Sequence, residues 1–137
     1  MLPSVLLADD HPIFLDKVAS LLASKYEIVG KVGDGQALLE AAKRLQPDVL
    51  VIDISMPVLN GIEAARELTR SRSISKVVFL TVHDESDFVQ AAFAAGATAY
   101  VIKSHMASDL IRAIQAALAD HLFLSPPLSF KDTASSL

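Results

Sequence analysis

Asp9-Asp10, Asp53, Thr81 and Lys103 each close or follow a short β-rich apolar run. Those runs are Val5–Ala8, Val49–Ile52, Val77–Val82 and Ala99–Ile102. The stretch Val51-Ile52-Asp53-Ile54-Ser55-Met56-Pro57 states the problem: a run built to stay dry ends in a carboxylate, and a proline then stops any regular structure. If the runs are parallel strands of one sheet, their carboxyl ends share an edge, which is where open parallel sheets bind ligands. Carboxylates forced together there repel one another and need a cation or a proton. The chain has no cysteine, and its histidines form no pair at ligand spacing. An all-oxygen donor set suggests a hard ion, and an incomplete set with room for water and a phosphate suggests Mg2+. Lys103 adds an ammonium and Thr81 a hydroxyl. A cation, an ammonium and a hydroxyl around a carboxylate nucleophile are the parts of phosphoryl transfer. In that chemistry the protein mainly positions groups and neutralises charge.

Behind these residues two periodicities alternate. A further apolar run at Ile28–Val32 brings the strands to five. Helical spacing fills the intervals: Phe14, Val18, Leu21 and Leu22; Leu38, Leu39, Ala42 and Leu45; Ile62, Ala65 and Leu68; Phe88, Val89, Ala92 and Phe93; Leu110, Ile111, Ile114, Ala117 and Leu118. Pro12 fits a first helical turn. Asp34, Asp84 and Ser104 are placed to cap the second, fourth and fifth helices. Gly96 suits a left-handed position after the fourth. Strict alternation predicts an α/β fold, (βα)5, with a parallel sheet covered on both faces and the third strand central.

The whole chain is consistent with this. Its 137 residues, 52% hydrophobic and 20% charged, suit one domain with a sizeable core. A net charge of -4 lends no support to direct nucleic-acid binding, which needs a basic face. The start has no positive region typical of a signal peptide. The longest uncharged run, Phe88 to Ile102, is shorter than the roughly 18 residues that span a bilayer. The reading is a cytoplasmic protein with no membrane partner. Pro126 to Leu137 carries no helical stripe. The domain is therefore expected over 1–122, with a tail or the start of an interdomain linker over 123–137.

Taken together, the Asp9-Asp10 pair, Asp53 with Met56-Pro57 and Asn60-Gly61 after it, Thr81, and Tyr100 three before Lys103 resemble the receiver domain of bacterial two-component response regulators. The resemblance covers about residues 4 to 120. The phrases DDHPIFLDKV, DVLVIDISMPVLNGIEAAREL and AYVIKSHMASDLIRAI are most similar to the subfamily with a C-terminal LuxR-type helix-turn-helix output domain. The resemblance implies a doubly wound five-stranded sheet of flavodoxin-like order 2-1-3-4-5. It implies that Asp53 is the phosphoacceptor. Asp10, Asp53 and the backbone carbonyl of Ser55 would ligate Mg2+, with Asp9 helping through water. Thr81 and Lys103 would bind the phosphoryl group, and Tyr100 would be the aromatic switch. The implied partners are a sensor histidine kinase or histidine phosphotransfer protein, a second copy on phosphorylation, and DNA only through an output domain absent from this chain. Apart from its own phosphorylation and dephosphorylation, such a domain is not an enzyme.

Departures from the family pattern point to local tuning. Ser104 stands where many receivers have proline, and Val82 where alanine or glycine is common. Val82 and His83 are therefore candidates for setting access to the phosphoryl group. His11, His105 and His121 carry no assigned role. Competing readings are an aspartate-nucleophile phosphatase and a stand-alone or pseudo-receiver acting by protein–protein contact. The phosphatase would want a second acid two residues after Asp53, and Ser55 is there instead. A flavin-binding protein of like topology would want a phosphate-cradling loop where this chain has the acidic DDHPIF.

Overall fold

The computed structural model describes residues 2–126 and 128. Its elements alternate as the periodicity predicts: β1 (Ser4–Ala8), α1 (Pro12–Leu22), β2 (Glu27–Val32), α2 (Gly35–Leu45), β3 (Val49–Ile52), α3 (Gly61–Arg70), β4 (Lys76–Thr81), α4 (Ser86–Ala94), β5 (Ala99–Ile102) and α5 (Met106–Leu118). A single 3-10 turn, Lys103–His105, joins β5 to α5, and a short β6 (Phe123–Leu124) follows. The strand order is β2-β1-β3-β4-β5-β6, and every pairing is parallel. This is the flavodoxin-like order with one strand added at the β5 edge.

Successive strand side chains point to opposite faces, and both faces are covered. Leu6, Leu50, Ile52, Phe79 and Tyr100 pack with α2, α3 and α4. Val5, Leu7, Val49, Val51, Val78 and Val101 pack with α1 and α5. All of β3 is buried, so it is central and its end is fixed from both sides.

Local signals are partly obeyed. Pro12 opens α1. The Asp34 carboxylate accepts from Ala37 N–H at 2.7 Å and caps α2. Gly96 follows α4 with φ +105, and an added Cβ there would lie 2.1 Å from Thr69 Oγ1. Two expected caps are displaced. Glu85, not Asp84, occupies the N-cap of α4, without a side-chain bond. Ser104 is taken into the 3-10 turn, so His105 precedes α5, again without a side-chain cap. β4 ends at Thr81, whose partner Ile102 is the last residue of β5, and this leaves Val82 outside the sheet. β6 lies in the segment expected as tail. Two residues are too few to register as a periodic pattern, yet Leu124 packs toward one face of the sheet and Phe123 toward the other.

Candidate functional site

Asp53 is the first residue past β3. Its N–H donates to Ala8 O at 2.9 Å, which continues the β1–β3 pairing by one residue. Its side chain is therefore held at the edge of the sheet and is 5% exposed. Oδ1 accepts from Ile54 N–H at 2.7 Å. The loop that follows folds tightly back. Gly61 N–H donates to Ile54 O at 2.8 Å. An added Cβ at Gly61 would lie 2.0 Å from Asp53 O, so only glycine permits this approach. Asn60 starts α3, accepting from Glu63 N–H at 2.9 Å and donating to Glu63 Oε1 at 2.6 Å, a reciprocal cap the sequence reading did not foresee.

The end of β1 brings in the other acids. Asp9 is buried, while the Asp10 side chain is 36% exposed. Lys103, entering from the end of β5, joins β1 to β3. Its Nζ lies 2.7 Å from Asp9 Oδ2 and 3.2 Å from Asp53 Oδ2, and 4.4 Å from the centre of the Phe14 ring. Burial alone would lower the ammonium's pKa. The hydrogen bond to Asp9 and the charge of Asp53 outweigh it and hold the pKa above the usual lysine value. Phe14 is half-buried, packing on the same core face as Leu15 while its ring face lies under Lys103.

His11 is the residue that sequence reasoning passed over. Its N–H donates to Asp9 Oδ1 at 2.9 Å, and its Nδ1 is 3.0 Å from both Asp9 Oδ1 and Asp10 Oδ1. Ligand atoms of Asp9, Asp10 and His11 all lie within 4.8 Å of one another. The available signal was position alone: a histidine directly after the acid pair, at the head of α1.

A second group joins the β3 loop to β4 and β5. Thr81 is fully buried, and its Oγ1 accepts from His83 N–H at 3.3 Å. The His83 ring is stacked on Phe88 at 4.2 Å, with Nε2 2.8 Å from Ser55 Oγ. Thus the Ser55 hydroxyl has a partner of its own, besides the carbonyl that the resemblance singled out. The Tyr100 hydroxyl donates to His83 O at 2.7 Å, and its ring is wholly buried against Phe79. Burial first, then Glu85, Asp84 and Asp53, push the phenol pKa far above its ordinary value, so it remains a donor. Val82 is 67% exposed at the lip of the site.

Beside both groups lies an open cleft of about 630 Å³, lined by Asp10, Ser55, Met56, Asn60 and Phe88 among others. The donor chemistry fits a hard divalent cation. Asp9 and Asp53 share the ammonium of Lys103, Asp10 lies beside Asp9, and Asp10 and Ser55 line the same cleft. Among the described residues, no helix is long and apolar enough to cross a membrane.

Comparison with known proteins bears on the whole arrangement. A family model described as the response regulator receiver domain matches residues 5–115. The chain is 41% identical over 116 residues to the transcriptional regulatory protein PdtaR of Mycobacterium tuberculosis, covering 84% of this chain and 56% of that protein. It is 34% identical over 127 residues to the response regulator GacA of Pseudomonas aeruginosa, covering 91% of this chain and 59% of the other. The chain thus spans a little over half the length of these relatives. Among solved structures, it resembles a LuxR-family two-component response regulator from an Aurantimonas species with TM-score 0.91 and 30% identity, covering 99% and 98% of the two chains. The receiver domain of the NarL regulator of M. tuberculosis gives TM-score 0.82 at 28% identity, covering 86% and 97%.

Proposed function

This chain belongs to the response regulator receiver domain family, and from that premise we propose that Asp53 is the phosphoacceptor of a two-component signalling pathway. The carrying observation is the Asp53 carboxylate at the end of the central strand, 3.2 Å from Lys103 Nζ, which lies 2.7 Å from Asp9 on the neighbouring strand end. A carboxylate oxygen of Asp53 attacks the phosphorus of a phosphohistidine on a sensor kinase or a histidine phosphotransfer protein. The P–N bond breaks, and the freed imidazole keeps the electron pair and takes up a proton. Asp10, Asp53 and the Ser55 carbonyl would hold Mg2+, with Asp9 helping through water. The ion would neutralise charge on the phosphoryl oxygens.

The chain's own residues do the rest. Lys103, already paired with Asp53, turns its charge to the phosphoryl group, and Thr81 adds its hydroxyl. New contacts made in only one conformation shift a pre-existing equilibrium. Tyr100, held inward by His83 O, reports that shift along β5. Val82 and His83, at the lip, govern water's approach and so the lifetime of the phosphoaspartate. The domain promotes its own phosphorylation and dephosphorylation and has no separate substrate to turn over. The output in this reading is transcription in the cytoplasm, through a DNA-binding region of a longer protein and with dimerisation on phosphorylation. The relatives' names as transcriptional regulators support it.

The test is incubation with Mg2+ and acetyl phosphate, followed by intact mass. A base-labile gain of one phosphoryl group is expected in the wild type and its loss in Asp53→Asn. An unmodified wild type beside a reactive control receiver, or an Asp53→Asn variant modified as fully as wild type, overturns the assignment.

A further inference from the structure

After α5 the chain turns through Asp120, at φ +60, and returns to the sheet as β6. A two-residue strand does not hold itself in place, so its anchors matter. Phe123 N–H donates to Thr98 O at 3.2 Å, and Ser125 N–H to Tyr100 O at 3.0 Å. The Arg112 guanidinium lies 5.9 Å from the centre of the Phe123 ring. The remaining anchor is polar and buried. Ser125 has no exposure. Its hydroxyl donates to Asp109 Oδ2 at 2.8 Å and accepts from Ile102 N–H at 3.2 Å. Asp109 is 4% exposed, and its other oxygen accepts from Ser108 Oγ at 3.0 Å, while His105 Nδ1 is 3.7 Å from Oδ2. A buried carboxylate is costly unless it is hydrogen-bonded. Undocking the segment removes one of its donors and leaves the Ile102 N–H without this acceptor.

The place of these bonds matters as much as their number. Tyr100 O and Ile102 N bracket the end of β5, and Lys103 is the next residue. The same strand end is held by His83 through the Tyr100 hydroxyl, by Asp9 and Asp53 through Lys103, and by Ser125 through the backbone. We propose that Ser125 and Asp109 form a clasp that carries the state of the acid site to the segment after α5, with β6 docked more firmly when Asp53 is phosphorylated. This rests on Asp53 being the phosphoacceptor. If docking favours the arrangement of Tyr100 and Lys103 that the phosphorylated site prefers, phosphorylation favours docking by the same factor. A short strand at the sheet edge belongs to the least stable part of a fold, where a small bias moves the population.

The experiment is amide hydrogen exchange by mass spectrometry on the whole chain with Mg2+, with and without acetyl phosphate, and intact mass taken on the same sample. In wild type carrying the phosphoryl group, exchange over 121–126 slows by about fivefold or more. In Ser125→Ala, and in Asp109→Ala, which removes the acceptor of the Ser125 hydroxyl, the mass gain remains and the slowing is lost. A mass gain with unchanged exchange over 121–126 overturns the clasp and leaves the phosphoacceptor assignment standing. If no mass gain occurs, that assignment fails, and the clasp is judged by Ser125→Ala alone. Faster exchange at 100–103 supports a tie between the segment and the Lys103 end of β5, and unchanged exchange there overturns it.

Discussion

Replacing Lys103 by methionine removes the cation that the structure places between Asp9 and Asp53, while keeping an apolar side chain over Phe14. The magnitude follows from the distances. At 2.7 and 3.2 Å, an effective dielectric of about 20 gives roughly 6 and roughly 5 kcal/mol of attraction. Desolvating the ammonium cancels much of this, and removing one partner of a buried pair typically costs about 3–5 kcal/mol. The Lys103 side chain is 15% exposed at the mouth of the site, which points to the lower end, about 3 kcal/mol. With a urea slope of about 2 kcal/mol per molar, the midpoint falls by about 1.5 M. Urea unfolding followed by circular dichroism at neutral pH and low salt, without divalent cation, reads this directly. The cause is separable from packing. If the loss comes from an orphaned carboxylate, Asp9→Asn in the Lys103→Met background restores about 1 kcal/mol or more, whereas Asp9→Asn alone destabilises. A Lys103→Met midpoint within error of wild type, or a double variant no more stable than Lys103→Met, refutes the electrostatic account.

Three further outcomes are expected. Because the folded state raises the Lys103 pKa above its unfolded value of about 10.4, the pairing contributes fully below that pH and is lost as pH rises through the folded value; the stability gap between wild type and Lys103→Met therefore narrows in urea titrations taken from pH 8 toward pH 11. Gly61→Ala pushes a methyl group to 2.0 Å from Asp53 O, so it lowers stability by about 3 kcal/mol and displaces Asp53, with a drop in the acetyl phosphate mass gain. Tyr100→Phe keeps the ring in the core but leaves His83 O without its 2.7 Å donor, costing about 1 kcal/mol by urea unfolding.

The sequence by itself determined the alternation of strands and helices and the residues that end the strands. Apolar period, proline at the head of α1 and the Asp34 cap are encoded within one or two turns of chain, and they were readable without a partner. Once the strands are parallel, Asp9, Asp10, Asp53, Thr81 and Lys103 must share an edge, so the candidate site followed from topology. Its internal wiring did not. Lys103 reaches Asp53 across 50 residues, His83 reaches Ser55 across 28, and Ser125 reaches Asp109 across 16. No local pattern encodes such pairs, because each depends on how close two elements come after packing. Asp84 and Ser104 are good capping residues by type, but Glu85 and His105 take the N-cap positions of α4 and α5, neither with a side-chain bond. His11 lies in the DDHPIFLDKV phrase without a residue role of its own there; only the fold turned it toward the two acids beside it. β6 became a strand because β5 offered a free edge and the buried Asp109 a waiting acceptor, a condition that exists only in three dimensions.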